Sequence, residues 1–377
     1  MSHSTTSPQA NAHRLDDSVI IPALGQQLCL LGFEPEPIAT AVGTYFDAPT
    51  VDLDSYDSII VCASGGKDSI ACLLALIEQG VDLSRVELWH HRVDGNEGSS
   101  LMDWAFIDSY MEQFAAAFGV PLYFSWLQGG IEGEMLKQDA YSQPHIVETP
   151  SGIITLERDT TRTAPATRRR FPQQSANLAT RWCSSAAKID VGRRAITNQD
   201  RFLGRKTLFV TGERRAESSN RSKYNQLEPH AVDRRHGRLG RHVDAWRPVL
   251  QYTEEQVWDL IARHRVEAPV PYRLGWGRSS CMTCIYNSPK VWATIRKYFP
   301  DRIHPIAAYE DEFDCTISRQ RINVVDLSAT AEAFNITDLN ALRQADQREY
   351  TLPIFTPEGQ AWQMPAGAFV TEGCGSV

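Results

Sequence analysis

The sequence of 377 residues predicts an α/β fold built on a parallel sheet, and three observations lead to this prediction. Short apolar runs that are typical of fully buried strands recur along the chain. Stretches of helical periodicity separate these runs, and glycines stand where several of the helices should end. Strands that alternate with helices in this way pair in parallel, because each helix returns the chain across the sheet.

The first part of the predicted fold contains three strands and two helices. Residues 58–63, SIIVCA, form the first buried strand, and the helical run after it ends at Gly80. A second strand is predicted over residues 85–91, a long helix over residues 100–118 and a third strand over residues 121–126. The loops that follow the strands should therefore meet at one edge of the sheet.

The middle of the chain contains a long excursion, followed by further helices and strands. Residues 128–174 are rich in Gly, Pro, Thr and Arg, so we predict a mobile excursion over the functional face. A helix follows over residues 177–197, and strands are predicted over residues 207–211 and 246–250. Thr253 begins another helix, because a Gln three positions later completes a capping box.

Composition and charge exclude several classes of protein. No run approaches the roughly 18 apolar residues of a membrane span, and the polar N-terminus lacks the apolar stretch of a secretory signal, so we expect a cytoplasmic protein without membrane contact. The chain has 38 Lys and Arg against 46 Asp and Glu, a net charge of −8. Residues 158–247 hold 21 Lys and Arg against 8 acids, a net of +13, whereas the other residues hold 17 against 38. This asymmetry predicts a basic region on an acidic body.

Residues 64–69 read SGGKDS and lie between the first predicted strand and its helix. Such a turn leaves N–H groups unpaired, and the helix dipole favours an anion beside them. Two glycines allow close backbone approach, a lysine supplies a cation, an aspartate can steer a magnesium ion and two serines supply hydroxyls: Gly65, Gly66, Lys67, Asp68, Ser64 and Ser69. The spacing differs from the Walker A motif, but the pattern predicts a phosphate-binding loop.

The loop and several later segments resemble the phosphoadenosine phosphosulfate reductase family, which includes DNA phosphorothioation sulfurtransferases. The loop itself is similar to the pyrophosphate loop of the N-type ATP pyrophosphatases. The resemblance runs from about Ser58 to Tyr298. The other segments follow in the family's order: Trp182-Cys183 with Lys188, GERRAES from Gly212 with Arg221, WRPV from Trp246, Val257-Trp258, and Cys281-x-x-Cys284.

The resemblance implies a doubly wound parallel sheet of the adenine nucleotide alpha-hydrolase-like kind, with ATP and Mg²⁺ at the carboxyl ends of its strands. The residues that it implies in catalysis are Lys67, Asp68, Arg214 and Arg215. Beyond the loop, the nucleotide would also contact Lys188, Gly212 and Arg221.

The chain should divide into three parts. Residues 1–45 form an N-terminal extension whose first part we expect to be disordered. Residues 46–302 form the nucleotide-binding pyrophosphatase domain that the resemblance implies. Residues 303–377 form a smaller, mostly helical C-terminal appendage.

Asp94 and Glu97 lie just after the second predicted strand, in VDGNEG. At the end of a parallel strand they should face the adenosine part of the nucleotide. The alternative is a Gly-rich turn with solvated acids. Both interpretations stay open on the sequence alone.

Arginines dominate the basic stretch and also allow two interpretations. Arg214, Arg215 and Arg221 follow the strand at residues 207–211, where guanidinium groups match phosphate or sulfate oxygens bidentately. Other members of the stretch are either solvated or follow a nucleic-acid backbone: Arg168, Arg169, Arg170, Tyr224, His230, Arg234, Arg235, His236, Arg238, Arg241, His242 and Trp246. DNA stays an open partner, because a small dianion needs only a few of these arginines.

Eight cysteines are too few for a disulfide scaffold in a chain of this length, so we expect reduced thiols. Cys29, Cys62 and Cys72 lie among apolar neighbours, which predicts small core residues.

Cys281 and Cys284 form a CxxC motif that can chelate a metal, hold an iron–sulfur cluster or form a redox disulfide. With Cys183, three thiolates can hold a [4Fe–4S] cluster that keeps one iron open. The cluster-bearing sulfonucleotide reductases have a doubled cysteine where this chain has Cys183-Ser184, so Cys315 would have to supply the fourth sulfur. A zinc site and plain buried cysteines are the alternatives.

Three functions are compatible with these residues. The first is an ATP pyrophosphatase that adenylates an acceptor for sulfur transfer, with a sulfur-donor protein and a DNA phosphate as the implied partners. The second is a phosphoadenosine phosphosulfate or adenosine phosphosulfate reductase in which Cys374 attacks sulfur, although TEGCGSV matches the family's terminal segment poorly. The third is a nucleotide-regulated subunit that binds nucleic acid without catalysis.

Overall fold

A mixed eight-stranded sheet forms the centre of the computed structural model, which describes residues 18–21, 26–29 and 43–370. A separate antiparallel pair lies outside this sheet. In chain order the strands are β1 (Ser18–Ile21), β2 (Gln26–Cys29), β3 (Ser58–Cys62), β4 (Val86–Arg92), β5 (Leu122–Leu127), β6 (His145–Thr149), β7 (Gly152–Leu156), β8 (Lys206–Val210), β9 (Leu227–Pro229) and β10 (His242–Trp246). The large sheet has the order β7-β6-β5-β4-β3-β8-β10-β9.

The five central strands run parallel. Strands β6 and β9 run antiparallel to them, and the edge strand β7, which pairs antiparallel with β6, again runs in their direction. Ten helices longer than one 3₁₀ turn lie in the described residues: α1 (Lys67–Glu78), α2 (Ile107–Phe118), α3 (Gly130–Leu136), α4 (residues 182–197), α5 (Glu254–Arg263), α6 (Val270–Arg273), α7 (Pro289–Tyr298), α8 (Pro300–Phe313), α9 (Val324–Ala329) and α10 (Leu339–Ala345). Helix α4 contains a π-helical turn at Ser185–Ile189 between α-helical segments. Short 3₁₀ turns occupy Leu53–Ser55, Leu83–Arg85, Asp200–Phe202, Arg215–Glu217 and Arg221–Lys223.

The core lies on both faces of the sheet. Ile59 and Val61 of β3 pack into the larger hydrophobic cluster, together with α1 and α2. Ile60 points to the opposite face and packs into a second cluster with Trp89 and the end of α4. This alternation follows from the pleat of a strand, and helices cover both of its sides. The predicted α/β fold of the adenine nucleotide alpha-hydrolase-like kind is therefore confirmed.

Three predicted element boundaries are wrong. The helix predicted over residues 177–197 begins only at Trp182, and the other two differences have identifiable reasons. The helix predicted over residues 100–118 begins only at Ile107, because the Asp94 carboxylate accepts the N–H groups of Met102 and Asp103 and holds a turn there. The strand predicted over residues 246–250 is instead β10, which ends at Trp246. The chain turns after β10, where the Leu250 N–H donates to the Arg247 carbonyl.

The segment 128–174, predicted as an excursion, contains α3 and the hairpin β6–β7, which extends the sheet. Its anchor is Glu134, a buried carboxylate that accepts Lys137 Nζ at 2.7 Å and Arg168 Nη2 at 2.7 Å. The Arg168 guanidinium in turn lies 4.4 Å from the ring centroid of Trp182 at the start of α4. The sequence pattern missed these strands because they are edge strands with exposed faces.

The C-terminal part is helical, as predicted, and it shares the larger hydrophobic cluster. Ile306, Leu327 and Tyr350 are buried in the same cluster as α1 and α2. The ring of Tyr350 lies 4.9 Å from that of Tyr110 in α2. The boundary between residues 302 and 303 stays a prediction. None of the helices in the described ranges has both the length and the apolar character needed to cross a membrane.

Candidate active site

A cavity of about 1160 Å³ opens where the parallel strands end. Ser64, Val93, Thr211 and Arg247 line it, and each stands one or two residues after one of the strands β3, β4, β8 and β10. Ligand crevices of open α/β sheets lie at this edge. Eleven of the residues predicted from the sequence to bind the nucleotide or a metal line the cavity: Ser64, Gly66, Lys67, Asp68, Ser69, Lys188, Gly212, Arg214, Arg215, Arg221 and Cys281.

The phosphate loop is a strained turn between β3 and α1. Gly65 has a φ of +74°, a left-handed conformation that favours glycine. The Ser69 hydroxyl donates to the Gly66 carbonyl at 2.9 Å and accepts the Ser64 N–H at 3.3 Å. Within residues 43–370, the N–H groups of Gly65 and Gly66 have no hydrogen-bond partner. Free N–H groups at the start of a 12-residue helix make this loop suited to an anion.

Asp68 holds the two cations of the loop. Its carboxylate accepts Arg214 Nε at 2.6 Å and lies 3.3 Å from Lys67 Nζ, which is also 3.6 Å from a carboxylate oxygen of Glu254. Burial alone would raise the pKa of Asp68, but the charges of Lys67 and Arg214 lower it below its usual range. Burial alone would lower the pKa of Lys67, but Tyr272, Asp68 and Glu254 raise it. Lys67 and Arg214 therefore stay charged beside the loop.

Gly212 brings the end of β8 against the start of α1. A Cβ atom at this position would lie 2.7 Å from the Asp68 carbonyl oxygen and 2.9 Å from the Ser69 nitrogen. Real Cβ atoms do not approach backbone this closely, so only glycine fits without a backbone shift. The contact explains how Arg214, two residues later, reaches Asp68.

Tyr272 connects the loop to the rest of the cavity, and sequence reasoning missed it. Its hydroxyl accepts the Lys67 backbone N–H at 3.2 Å, and Lys67 Nζ lies 5.4 Å from its ring centroid. Glu254 was missed as well. Tyr272 belongs to the short helix α6, whose sequence VPYR contains no motif. The capping box at the start of α5 was the one signal near Glu254.

The arginines after β8 and β10 line the cavity but already have acidic partners. Arg215 pairs with Asp47 at 2.8 Å, and Arg221 pairs with Glu217. Arg247 pairs with Glu213 at 3.1 Å and with Glu228 at 2.9 Å. These three guanidinium groups are therefore less available to a new anion than the sequence predicts.

Helix α4 and the residue before it present cations to the cavity. Arg181, Lys188 and Arg193 all line it, and Lys188 stands in the π-helical turn. The Lys188 side chain is exposed to the cavity and forms no ion pair within residues 43–370. Burial would lower the pKa of Lys188, but Cys281 and Asp103 raise it above its usual range. This wall therefore keeps an unpaired ammonium group available to an anionic ligand.

The three candidate metal-ligating cysteines lie near one another, but only Cys281 lines the cavity. Burial, and next the charge of Cys284, raises the pKa of Cys183 to about 11. Burial and then Asp103 raise the pKa of Cys281 well above its ordinary range. In the described ranges, no three His, Cys, Asp or Glu side chains are arranged to hold a metal ion. The iron–sulfur cluster at these cysteines stays a prediction.

The remaining cysteines lie elsewhere. Cys315 follows α8, with its sulfur 3.8 Å from the Thr316 carbonyl oxygen. Cys72 is buried in the core, as predicted, whereas Cys62 lines the cavity. The Cys29 side chain and the whole of Cys374 lie outside the described residues.

Asp94 and Glu97 hold loops and do not line the cavity. Asp94 holds the turn at Met102 and Asp103. Glu97 accepts the indole N–H of Trp126 at 2.9 Å and the Gly129 N–H at 2.9 Å. Burial raises the pKa of Asp94, while the N–H groups of the turn oppose the rise. Both acids therefore fix the wall behind the cavity.

Most of the other basic residues of the stretch lie away from the cavity. Arg168 and Arg169 pair with Glu134 and Glu312, and Arg235 pairs with Asp233 at 2.9 Å. Of the residues considered for contact with DNA, His230 lines the cavity. The others do not line it: Arg168, Arg169, Arg170, Tyr224, Arg234, Arg235, His236, Arg238, Arg241, His242 and Trp246.

Comparisons with known proteins agree with this site. Residues 154–287 match the family described as the phosphoadenosine phosphosulfate reductase domain. The match includes Lys188, Arg214 and the cysteines but begins after the phosphate loop. A protein of Escherichia phage 186, described as an uncharacterized 37.8 kDa protein in the gpa 5' region, is 27% identical over 265 residues, which span 67% of this chain and 74% of the phage protein. The domain match supports the phosphoadenosine phosphosulfate reductase family and indicates an enzyme that uses a nucleotide in sulfur chemistry.

Proposed function

We propose that the chain is an ATP pyrophosphatase that activates an acceptor by adenylation for sulfur transfer. The observation behind this proposal is the loop between β3 and α1, where free N–H groups of Gly65 and Gly66 stand beside the charged Lys67 and Arg214. This donor set suits the β- and γ-phosphates of ATP. The α-phosphate would then lie toward the middle of the cavity, where an acceptor can approach it.

In the adenylation step, an acceptor oxygen attacks the α-phosphorus, and the bond from that phosphorus to the bridging oxygen breaks. Pyrophosphate leaves with the electron pair, and Lys67 and Arg214 stabilise the negative charge that develops on it. Asp68 keeps both cations in position through its two ion pairs. Those pairs already occupy the Asp68 carboxylate, and the described residues contain no group of three side chains arranged to hold a metal ion. Mg²⁺ would therefore enter with the nucleotide, and the steps are assigned to the protein's own side chains.

In the second step, the outer sulfur of a donor persulfide attacks the adenylated acceptor and displaces AMP. A second thiol then attacks the inner sulfur of the donor, so that a disulfide forms on the donor and the transferred sulfur stays on the acceptor. Lys188 of α4, which also lines the cavity and forms no ion pair within residues 43–370, favours an anionic acceptor, and a DNA backbone phosphate is the acceptor that the family resemblance implies. A sulfur-donor protein would supply the nucleophile. No step is routed through the predicted iron–sulfur cluster.

The test is release of labelled AMP and of pyrophosphate from α-labelled ATP, with a sulfur donor and DNA supplied together or separately. We expect Lys67→Ala to lower pyrophosphate release by at least about a hundredfold, since it removes a charge that stabilises the leaving group. The control is Lys297→Ala, an exposed lysine of α7 outside the cavity. Absence of nucleotide turnover under every condition would contradict the proposal, and DNA binding without turnover would favour a non-catalytic subunit.

Sulfonucleotide reduction is the second candidate, and one observation favours it. Phe369 and Val370 line the cavity, so the chain reaches the cavity four residues before Cys374. A Cys374 thiolate would attack the sulfur, release the adenine nucleotide and form a thiosulfonate, from which a second thiol would release sulfite. Sulfite production that Cys374→Ser abolishes would support this function over the first.

A further inference from the structure

We propose that Phe369 is the surface on which the base of the bound nucleotide stacks. The inference rests on the proposed binding of ATP in the cavity and adds the residue that distinguishes a nucleotide from pyrophosphate alone. It concerns the turn formed by residues 365–370, which is separate from the phosphate loop and from the arginines that line the cavity. Phe369 would contact the base and not the phosphates.

Among the large aromatic side chains of the cavity wall, Phe369 has the largest exposed fraction. It is 47% exposed, whereas the other large aromatic side chains of the wall are buried or already covered. Trp89, Phe209 and Tyr272 are each under 9% exposed. Tyr286 is half-buried, accepts a hydrogen bond from Arg181 and has the Arg278 guanidinium 5.9 Å from its ring centroid. An apolar ring left open in a ligand cavity is suited to a flat apolar ligand.

The backbone holds Phe369 in this position against its own preference. Its φ is +62°, in the left-handed region that residues with a side chain rarely occupy. The turn is fixed by the Gly367 N–H, which donates to the Tyr272 carbonyl at 2.7 Å, and by the Val370 N–H, which donates to the Gly367 carbonyl. A side chain at Gly367 would collide with the Trp276 carbonyl oxygen. The surrounding contacts therefore impose the strained conformation.

The turn also stands at a suitable distance from the phosphate loop. Gly367 touches Trp276, and three residues further along the chain Ser279 lies 3.6 Å from the Cβ position of Gly66. Three residue steps span at most about 11 Å, because an extended chain advances no more than ~3.6 Å per residue. A phosphate on the loop and a ring on the turn are thus separated by a distance that a nucleotide can bridge. Tyr272 links the same two places, since its hydroxyl accepts the Lys67 N–H and its carbonyl accepts the Gly367 N–H.

The experiment compares ATP with pyrophosphate as ligands of the full chain, by calorimetry on wild type, Phe369→Ala and Met364→Ala. Met364 is the matched control, because it is equally exposed at 47%, lies just before the same turn and does not line the cavity. We expect Phe369→Ala to weaken ATP binding about tenfold, within the range found when a base loses an aromatic stacking partner. Pyrophosphate binding should stay unchanged in both variants, and Met364→Ala should bind ATP as wild type does.

Phe369→Trp supplies a second readout. We expect it to retain ATP affinity and to show a change in its added tryptophan fluorescence with ATP but not with pyrophosphate. The inference is overturned if Phe369→Ala binds ATP as tightly as wild type, or if it loses ATP and pyrophosphate affinity equally, which would indicate a structural role. Failure of wild type to bind either ligand would instead contradict the proposed function, so the two failures are distinguishable.

Discussion

At the scale of single residues, the Tyr272 hydroxyl helps to hold the start of α1 at the phosphate loop. Tyr272→Phe removes the acceptor of the Lys67 N–H at 3.2 Å and leaves the ring in place. We expect the free energy of unfolding to fall by about 1 kcal/mol, as for loss of one buried hydrogen bond. Pyrophosphate affinity should fall several-fold, because the start of α1 is less firmly positioned. Denaturant unfolding and pyrophosphate titration measure the two effects.

The control for this substitution is Tyr110→Phe in α2. The Tyr110 hydroxyl is buried and has no hydrogen-bond partner within residues 43–370. Its removal should leave stability unchanged or slightly increased, because no hydrogen bond is lost. An equal loss of pyrophosphate affinity in both variants would show that the Lys67 contact is not the cause.

Asp103 provides a pH prediction at the same scale. Burial, and next the charge of Asp94, raises the pKa of Asp103 from 3.8 to about 6 in the folded chain. The folded protein thus favours the protonated acid. The free energy of unfolding should therefore fall by about 3 kcal/mol in total as the pH rises from about 4 to about 6. Asp103→Asn mimics the protonated acid and can still accept the Trp104 N–H. Denaturant unfolding should therefore find equal stabilities below about pH 4 and a more stable variant above about pH 6, whereas parallel curves would contradict this origin.

At the scale of elements, the contact between the end of β8 and the start of α1 determines the shape of the loop. Gly212→Ala places a Cβ atom 2.7 Å from the Asp68 carbonyl oxygen, so one of the two backbones must move. We expect a loss of about 1 to 3 kcal/mol in stability, typical of overpacking, and at least a tenfold loss in pyrophosphate affinity. Gly133→Ala in α3 is the control, because its Cβ atom would make only an ordinary contact at 3.9 Å. Unchanged pyrophosphate binding in Gly212→Ala would show that the loop tolerates the shift.

The elements also show what the sequence could and could not predict. The buried strands β3, β5 and β8 were predictable, because a strand covered on both faces is largely a continuous apolar run. Strand β4 was predicted as well, although a glutamate and two histidines interrupt its apolar residues. The hairpin β6–β7 was not, since β6 is only partly buried and most of β7 is exposed. The late start of α2 depends on the Asp94 carboxylate, a contact eight residues distant that helix periodicity does not reveal.

At the scale of the whole molecule, the large charge asymmetry along the chain says little about which cations of the cavity lack an acidic partner. The net charge of +13 over residues 158–247 is a property of the chain order, whereas ion pairs depend on the fold. Arg168, Arg201 and Arg205 find their carboxylates on Glu134, Glu87 and Asp57, all earlier in the chain. The acidic body thus neutralises much of the basic stretch, and several cations that line the cavity are paired as well. Lys188 is a cavity cation that forms no ion pair within residues 43–370. Sequence reasoning named the loop that lines the cavity, but it could not tell which arginines already have acidic partners.

The C-terminal part tests whether the described chain unfolds as one unit. Tyr350 is 1% exposed and packs against Tyr110 and Phe106 of the main core, so Tyr350→Ala removes contacts between the C-terminal part and α2. We expect about 3 to 5 kcal/mol lower stability in a single transition, as for other large buried aromatic side chains, whereas Leu339→Ala, 63% exposed in α10, should change stability by less than about 0.5 kcal/mol. Tryptophan fluorescence and circular dichroism followed through the same denaturant series would report both parts. Two separated transitions, with the main one at its wild-type midpoint, would show instead that residues 303–370 form an appendage whose packing does not support the nucleotide site.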